Sequence, residues 1–386
     1  MSGWRVLIGM VATLMLGQAG AAEDFLGGAK LYADVARYAA FGSHRFGSPG
    51  DRATTDWIAA ELQAAGFGVE FQPVVLGRQY VVDRATAEVD GTTVEATPFW
   101  WPPEDKSSFH LTAAILLVIG NPGEDRFAYN VTQEDTPWPM PVMVVAGKDK
   151  RVFERAMASG APVTLDVAGR YERNVGGCNV VARLGAGRGP AIVVSTPMTG
   201  WYSCVCERGP GIANFLALAR TVAAEKLPGD FVFVATAGHE IGHGGMELFL
   251  KQGAPPPRDT LVWVHFGASN ACYAWTAGPQ GFTREDKVDV ALRSIVLSPS
   301  AAPLVGETFA AIEARRLVAE KQALGELRDV HAAGYRNFFG MAGLHRFFPT
   351  PADDVSTTSP EILEPVARAF TEAVRKAAER GERAFR

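Results

Sequence analysis

Basic runs are missing from this sequence. Lys and Arg number 37 against 42 Asp and Glu, the net charge is −5, and the positive residues are scattered. Without a basic stripe there is no electrostatic footprint for a phosphate backbone, so nucleic acid is not an expected partner. Histidine is sparse too, with seven in 386 residues. Cysteine is limited to Cys178, Cys204, Cys206 and Cys272. Cys204 and Cys206 are too close to pair easily with each other, and either could bridge to Cys178 or Cys272. No internal repeat is visible. Long apolar runs are absent, the fullest being Val6 to Leu16 near the N-terminus. That run is too short to span a bilayer comfortably. With Arg5 before it and Ala19-Gly20-Ala21 after it, it has the pattern of an export signal. The pattern predicts a signal peptide over 1–22 and cleavage near Ala21 or Ala22. It also predicts a periplasmic or secreted chain with no stable membrane span after cleavage.

What is present is ordinary globular material, with 47% hydrophobic residues. In "DRATTDWIAAELQAAGFGVEFQPV", Trp57, Ile58, Leu62 and Ala65 share one helical face, and Gly66 stops the helix before a strand. Residues 78–172 change character. "TPFWWPPEDKSS" and "EDTPWPMPV" are rich in Pro and aromatics and lie between short β-like runs. This predicts an inserted β-rich subdomain over 78–172, between a first part of the main domain at 23–77 and its larger part at 173–386. "PFWWPP" suits either an overhang above a cleft or the packing of the insert itself. From about 177 the chain alternates. "NVVARL", "AIVVST", "DFVFVATA" and "TLVWVHFG" read as strands, while "GIANFLALARTVAAEK" and "MELFLKQG" read as helices. The alternation predicts an α/β fold, a mostly parallel central sheet with helices on both faces. The closing amphipathic helix begins at Pro360 after a Ser359 cap. "GAGRGP" at 185–190 runs into a strand rather than a helix, so it is a turn and not a nucleotide loop.

Ligands of open α/β sheets gather at the carboxyl ends of strands. Three such ends hold Glu207, His239, Glu240, His243 and His265. Three of the seven histidines thus collect there, which is a metal or acid–base signal. "GHEIGHGG" contains His-Glu-Ile-Gly-His. In H-E-x-x-H metalloproteases both histidines lie one turn apart within a helix. Here a strand runs to Ala237, and Gly238, Gly242, Gly244 and Gly245 surround the motif. Each interior Gly costs a helix about 1 kcal/mol relative to Ala. The segment is therefore expected to be a strand-to-helix elbow with its helix beginning near Gly242. A Cys206 thiol with His239 as base is a further arrangement, disfavoured because exported chains oxidise their cysteines.

The chain resembles the co-catalytic zinc aminopeptidases of metallopeptidase family 28, relatives of glutamate carboxypeptidase and glutaminyl cyclase. The resemblance rests on "HRFGSPGDRATTDWIAAELQAAGFGVE", "NVVARLGAGRGPAIVVST", "GPGIANFLALAR", "FVFVATAGHEIGHGGMELFLK" and "HRFFPTPADDVSTTSPEILEPVARAF". It implies a zinc-aminopeptidase-like sheet and an insert similar to a protease-associated domain. It also implies two zinc ions held by two His and three carboxylates, beside a free Glu base. The matching positions depart from that set: Pro197 for the first His, Glu207 for the bridging Asp, His239 and Glu240 for the adjacent base and ligand, His265 for the strand-end Asp, and Pro349 for the last His. Proline coordinates nothing, so the two-metal centre cannot form as such. His345, four residues before Pro349, is a candidate to reach inward instead.

Glu207, His239, Glu240, His243 and His265 offer enough N and O atoms for one tetrahedral Zn²⁺ ion. Glu240 and His239 are the candidate catalytic residues. Each also has a plainer role: His265 as a hydrogen-bonded core histidine, Glu207 as the ion-pair partner of Arg208, His243 as a structural residue. The leading expectation is an exported hydrolase of peptide or small amide substrates with a remodelled, mononuclear site. The competing one is a non-catalytic binding protein that keeps the fold and cleft.

Overall fold

The structure is a computed structural model that describes residues 23–112, 116–119, 125–128, 130, 138, 140–187, 189–278 and 281–386. The expected signal peptide lies outside the described residues. The helices are α1 (Gly28–Ala40), α2 (Pro49–Ala64), α3 (Lys150–Ser159), α4 (Val205–Glu225), α5 (Gly244–Gln252), α6 (Ala302–Thr308), α7 (Leu327–Ala332) and α8 (Pro360–Arg380). The strands before α4 are β1 (Gly68–Val89), β2 (Thr92–Pro98), β3 (Phe109–Thr112), β4 (Leu116–Ile119), β5 (Val142–Val145), β6 (Val163–Leu184) and β7 (Ala191–Pro197). Those after it are β8 (Asp230–Thr236), β9 (Thr260–Phe266), β10 (Tyr273–Gly278), β11 (Gly281–Val288), β12 (Arg293–Leu297), β13 (Arg315–Val318) and β14 (Phe338–Gly343). Among these helices none is long and apolar enough to cross a membrane.

The central sheet runs β13-β12-β14-β9-β7-β8-β6-β1, and its middle, β14-β9-β7-β8, is parallel throughout. Side chains of a strand alternate between faces, and the core follows that period. Ile192, Val194, Phe231, Phe233, Val262 and Val264 pack one face against Ile58 and Trp57 of α2, Ile212 and Phe215 of α4 and Phe370 of α8. Val193, Val232, Val234 and Trp263 pack the other face against Met246 and Phe249 of α5 and Leu327 and Val330 of α7. The expected α/β architecture with helices on both faces is what forms. Apolar residues on both faces bury the middle strands completely, which suits a parallel sheet covered on two sides.

The Gly66 stop follows the sequence reading, and the Ser359 cap departs from it. The hydroxyl of Ser48 caps α2 by accepting from Asp51 N at 3.1 Å, with Pro49 in the first turn. Gly66 ends that segment at φ 92°. Ser359 does stand at the N-cap of α8, but its side chain does not cap the helix. Its hydroxyl is bonded to the Tyr273 hydroxyl at 2.7 Å instead.

The segment between α2 and β7 is built on a long ribbon. β1 and β6 pair antiparallel from Gly68↔Arg183 to Val89↔Val163, with an irregularity between Val82 and Arg84. Strands of 22 residues reach roughly 70 Å at the usual rise. The near half joins the main sheet through β6 and β8. The far half carries β2 and β5 on one side and β3 on the other. It encloses its own small core of Ala87, Val94, Met143, Phe153, Leu165 and Val167. The boundaries read from composition, at 77/78 and 172/173, fall midway along the two strands, where Leu76 faces Val175 and Arg78 faces Arg173. The β6–β8 pairing that ties the ribbon to the main sheet covers only Val180–Leu184, so it does not reach those boundaries.

Candidate functional site

The carboxyl ends of β7, β8 and β9 meet the start of α4, and the loops leaving them carry the candidate residues. β8 stops at Thr236, and Gly238 turns the backbone at φ 73°, a conformation that glycine adopts without a Cβ clash. A single 3-10 turn, His239–Ile241, follows, and α5 begins at Gly244. The elbow expected from the glycines is therefore present, with the helix starting two residues later than Gly242. A Cβ on Gly245 would stand 2.3 Å from the Ala237 carbonyl oxygen, so the helix can fold back this closely only with glycine there.

Thr199, in the loop after β7, holds the elbow. Its hydroxyl donates to Glu240 Oε2 at 2.7 Å and accepts from Gly238 N at 2.7 Å. Glu240 Oε1 accepts from Phe46 N, also at 2.7 Å. Glu240 is fully buried, with each oxygen engaged. It ties three segments together: the loop before α2, the loop after β7 and the elbow.

Glu207 lies in the first turn of α4. Its Oε1 stands 2.6 Å from Arg208 Nη2, and both side chains are sealed from solvent. Arg208 Nε donates to the Thr199 carbonyl oxygen at 2.9 Å. Burial raises the Glu207 carboxyl to about 7, against the opposing pull of Arg208 and with the charge of Asp353 adding to the rise. Asp353 grips the start of the same helix. Its two oxygens accept from Cys206 N at 2.7 Å and Glu207 N at 3.1 Å, an anion on helix N-terminal amides. His345 is buried and its Nε2 donates to Asp353 Oδ2 at 3.1 Å. It thus does turn inward from the chain before Pro349.

The three strand-end histidines separate into two environments. His265, on β9, is buried with Nδ1 bonded to the Ser195 hydroxyl at 2.8 Å, and that hydroxyl also accepts from Trp263 Nε1. Burial lowers it to about 4, so at neutral pH it is an uncharged core histidine. His239 and His243 stack on each other, ring centroids 4.5 Å apart. Each gives Nδ1 to a carboxylate of the segment around α7: His239 to Glu326 at 3.2 Å, His243 to Asp329 at 2.6 Å. Burial first, then the Arg208 and His243 charges, holds His239 well below the usual imidazole range. With its proton on Nδ1, neutral His239 keeps a lone pair on Nε2.

The donor set was tested against the zinc that the resemblance implies, and it does not fit. Structural and catalytic zinc take at least three protein ligands converging on one point. Among the described residues no group of three or more His, Cys, Asp or Glu is so placed. Both Glu240 oxygens and the His265 Nδ1 are already bonded within the protein. The buried atoms left without a partner include Glu207 Oε2, His345 Nδ1 and Arg208 Nη1. The first two and His239 Nε2 are acceptors but belong to no converging group of three ligands, and the third belongs to a cation in direct contact with Glu207. The thiol reading of Cys206 is corrected as well. Cys206 is joined to Cys272 in a disulfide, leaving Cys178 and Cys204 free.

Sequence reasoning did not find Thr199, Glu326, Asp329 or Asp353 as site residues. Glu326 and Asp329 are distant along the chain from the residues they hold, and an isolated acidic residue at the start of a short helix carries no pattern. Arg208 was visible as a plain ion-pair partner of Glu207.

No family model matches the sequence, and neither does any curated protein. Solved structures do match in fold. A zinc aminopeptidase from Bacillus subtilis superposes with a TM-score of 0.68 at 11% identity, covering 94% of this chain and 100% of that one. A peptidase M28 precursor from Shewanella amazonensis gives 0.67 at 14% identity, over 90% and 92% of the two chains. A glutaminyl cyclase from Porphyromonas gingivalis gives 0.53 at 11% identity, over 91% and 99%. At such identities the likeness is one of fold, and the fold of this chain is that of the zinc aminopeptidases.

Proposed function

We propose that this chain is an exported binding protein on the zinc-aminopeptidase fold, one that recognises a peptide or small amide ligand without a metal and without cleaving it. The observation that carries this reading is the Arg208–Glu207 pair. Glu207 matches the carboxylate that bridges two metals in the family the sequence resembles. In this chain that carboxylate is paired with a buried guanidinium, and a divalent cation beside it would meet a like charge in a low-dielectric pocket. Pro197 and Pro349 supply no donor at two further positions. In this reading Glu240 and Thr199 keep the cleft in shape, and His265 is part of the core. The body comprises 23–77 and 173–386, and the ribbon-borne segment 78–172 forms a lobe at the cleft, where the resemblance puts a protease-associated subdomain. Export is supported by the N-terminal pattern and by the Cys206–Cys272 disulfide, a bond that persists in oxidising compartments.

A second reading has one observation in its favour. Neutral His239, oriented by Glu326, has the arrangement of a general base, and it suits a metal-free hydrolase of the same ligands with His239 as the catalytic group. Incubating the purified mature chain with a panel of aminoacyl and amide substrates, with and without added zinc, separates the two. No turnover in either condition is the expected result. Turnover without zinc that His239→Ala abolishes would favour the second reading, and turnover only with zinc would overturn both.

A further inference from the structure

A cavity of about 420 Å³ opens between the lobe and the loop that follows β7. It borders the site through Arg45, whose chain neighbour Phe46 gives its N–H to Glu240. Three guanidinium groups line it, and two of them are compensated. Arg84 pairs with Asp166 at 2.8 Å and Arg126 with Glu95 at 2.7 Å. Arg45 is different. Its Nη2 donates to the Tyr80 carbonyl oxygen, and its guanidinium lies over the Trp201 ring, 4.8 Å from the centroid. Its Nε is shut off from solvent without a hydrogen-bond partner. Among the described residues no carboxylate stands within ion-pair distance of it. A cation withdrawn from water is unfavourable unless an anion answers it. Burial pulls Arg45 down to about 10, with the charges of Glu240 and Glu172 opposing from beyond ion-pair distance, which still leaves it charged at neutral pH.

Five aromatic residues also line it: Tyr80, Phe99, Trp101, Trp201 and Tyr202. Trp101 and Phe99 come from the "PFWWPP" stretch, so part of that stretch does face the cavity. Glu95 and Asp83 also line it. Both are already answered, Glu95 by Arg126 and Asp83 by Arg170, so Arg45 is the guanidinium left for a ligand, and the planar fork of one guanidinium matches one carboxylate.

We infer that this cavity binds a carboxylate borne on an apolar or aromatic body, with the carboxylate on Arg45 and the body between the aromatic walls. This rests on the reading of the chain as a ligand-binding protein and names the ligand class. Both a peptide ending in a free aromatic residue and a free N-acyl amino acid carry that chemistry.

The test is calorimetric titration of the mature chain with four probes: N-acetyl-phenylalanine, its amide, the tripeptide Ala-Ala-Phe and its C-terminal amide. At least one free acid is expected to bind at least about tenfold more tightly than its amide, a gap of about 1.4 kcal/mol. If both acids bind, the source is any small carboxylate of this shape; if only the tripeptide binds, it is a peptide C-terminus. Arg45→Gln is expected to abolish the acid-over-amide preference, and Arg45→Lys to restore part of it. Arg368→Gln, on α8 and paired to Asp24 and Glu364 outside the cavity, is expected to leave it intact. Equal affinity for acids and amides, no binding of either acid, or an unchanged preference in folded Arg45→Gln would overturn the inference. If Arg45→Gln does not fold, Trp101→Leu serves in its place, with loss of affinity for acids and amides alike expected. Zinc content and hydrolysis of the amides are measured on the same samples. Hydrolysis or bound zinc would count against the metal-free binding reading while leaving the acid preference as a separate result.

Discussion

Arg208 Nη2 lies 2.6 Å from Glu207 Oε1 with both side chains out of solvent. Breaking such a pair leaves one charge buried alone, which typically costs 3–5 kcal/mol, whereas removing both partners is often neutral. Arg208→Met is therefore expected to destabilise the chain by about 3–5 kcal/mol in urea denaturation. Glu207→Leu/Arg208→Met together should recover most of that loss. A single variant within about 1 kcal/mol of the parent would show that the pair is not what holds the centre.

His265 gives a pH signature. Its folded value is about 4 against an ordinary 6.5, because burial disfavours the charged ring. Below 6.5 the unfolded chain takes up a proton that the folded chain refuses. The stabilisation is thus fully present above about 6.5 and is lost as pH falls towards 4. The same change in Glu207 runs the other way. Its folded value of about 7 lies above the ordinary 4.5, so its contribution is present below 4.5 and lost as pH rises through 7. His265→Gln should flatten the acid-side loss by up to roughly 3 kcal/mol between pH 4 and 6.5. Glu207→Gln should flatten the loss between 4.5 and 7. Stability curves whose slopes in these windows do not respond to the substitutions would refute the assignment.

These two residues also show what the sequence could and could not disclose. The α/β architecture was legible because the strands are continuous apolar runs and the helices keep a 3.6-residue period. The elbow at Gly238 was legible because four glycines crowd one motif. For His265 and Glu207 the sequence offered a plain role beside the metal-ligand role, with Arg208 as the partner of Glu207. The other partners around them were not legible. Ser195 is one more polar residue in an apolar strand, and Glu326 and Asp353 reach the site from the segments between β13 and α7 and between β14 and α8. Long-range pairing leaves no periodic trace, so the sequence names candidate residues without the partners that surround them. Likewise the ribbon was hidden because a 22-residue strand crossing two cores changes composition halfway.

Glu240 is expected to act through shape. Its two oxygens accept from Phe46 N and the Thr199 hydroxyl, and each buried donor left unanswered costs about 1–3 kcal/mol. Glu240→Ala should destabilise by about 2–4 kcal/mol and loosen the loop before α2, seen as faster hydrogen exchange at Phe46. Glu240→Gln should cost less, since one acceptor survives. Unchanged exchange at Phe46 in Glu240→Ala would contradict this role.

The disulfide closes a separation of 66 residues between Cys206 and Cys272. Constraining the unfolded chain in this way stabilises by about 2–4 kcal/mol. Cys206→Ser/Cys272→Ser should lower the denaturation midpoint accordingly. In the unreduced native protein iodoacetamide should modify neither residue. Labelling of Cys206 under those conditions would return it to the list of reactive thiols.

In the proposed metal-free reading an arginine–carboxylate pair stands at the position that the resemblance gives to a metal-bridging carboxylate. Elemental analysis of the mature chain after equilibration with zinc and removal of the excess measures this most directly. Zinc well below one ion per chain is expected, with no gain in Arg208→Met large enough to reach stoichiometry. One or more zinc ions per chain in the parent protein, lost on Glu207→Gln, would contradict that reading.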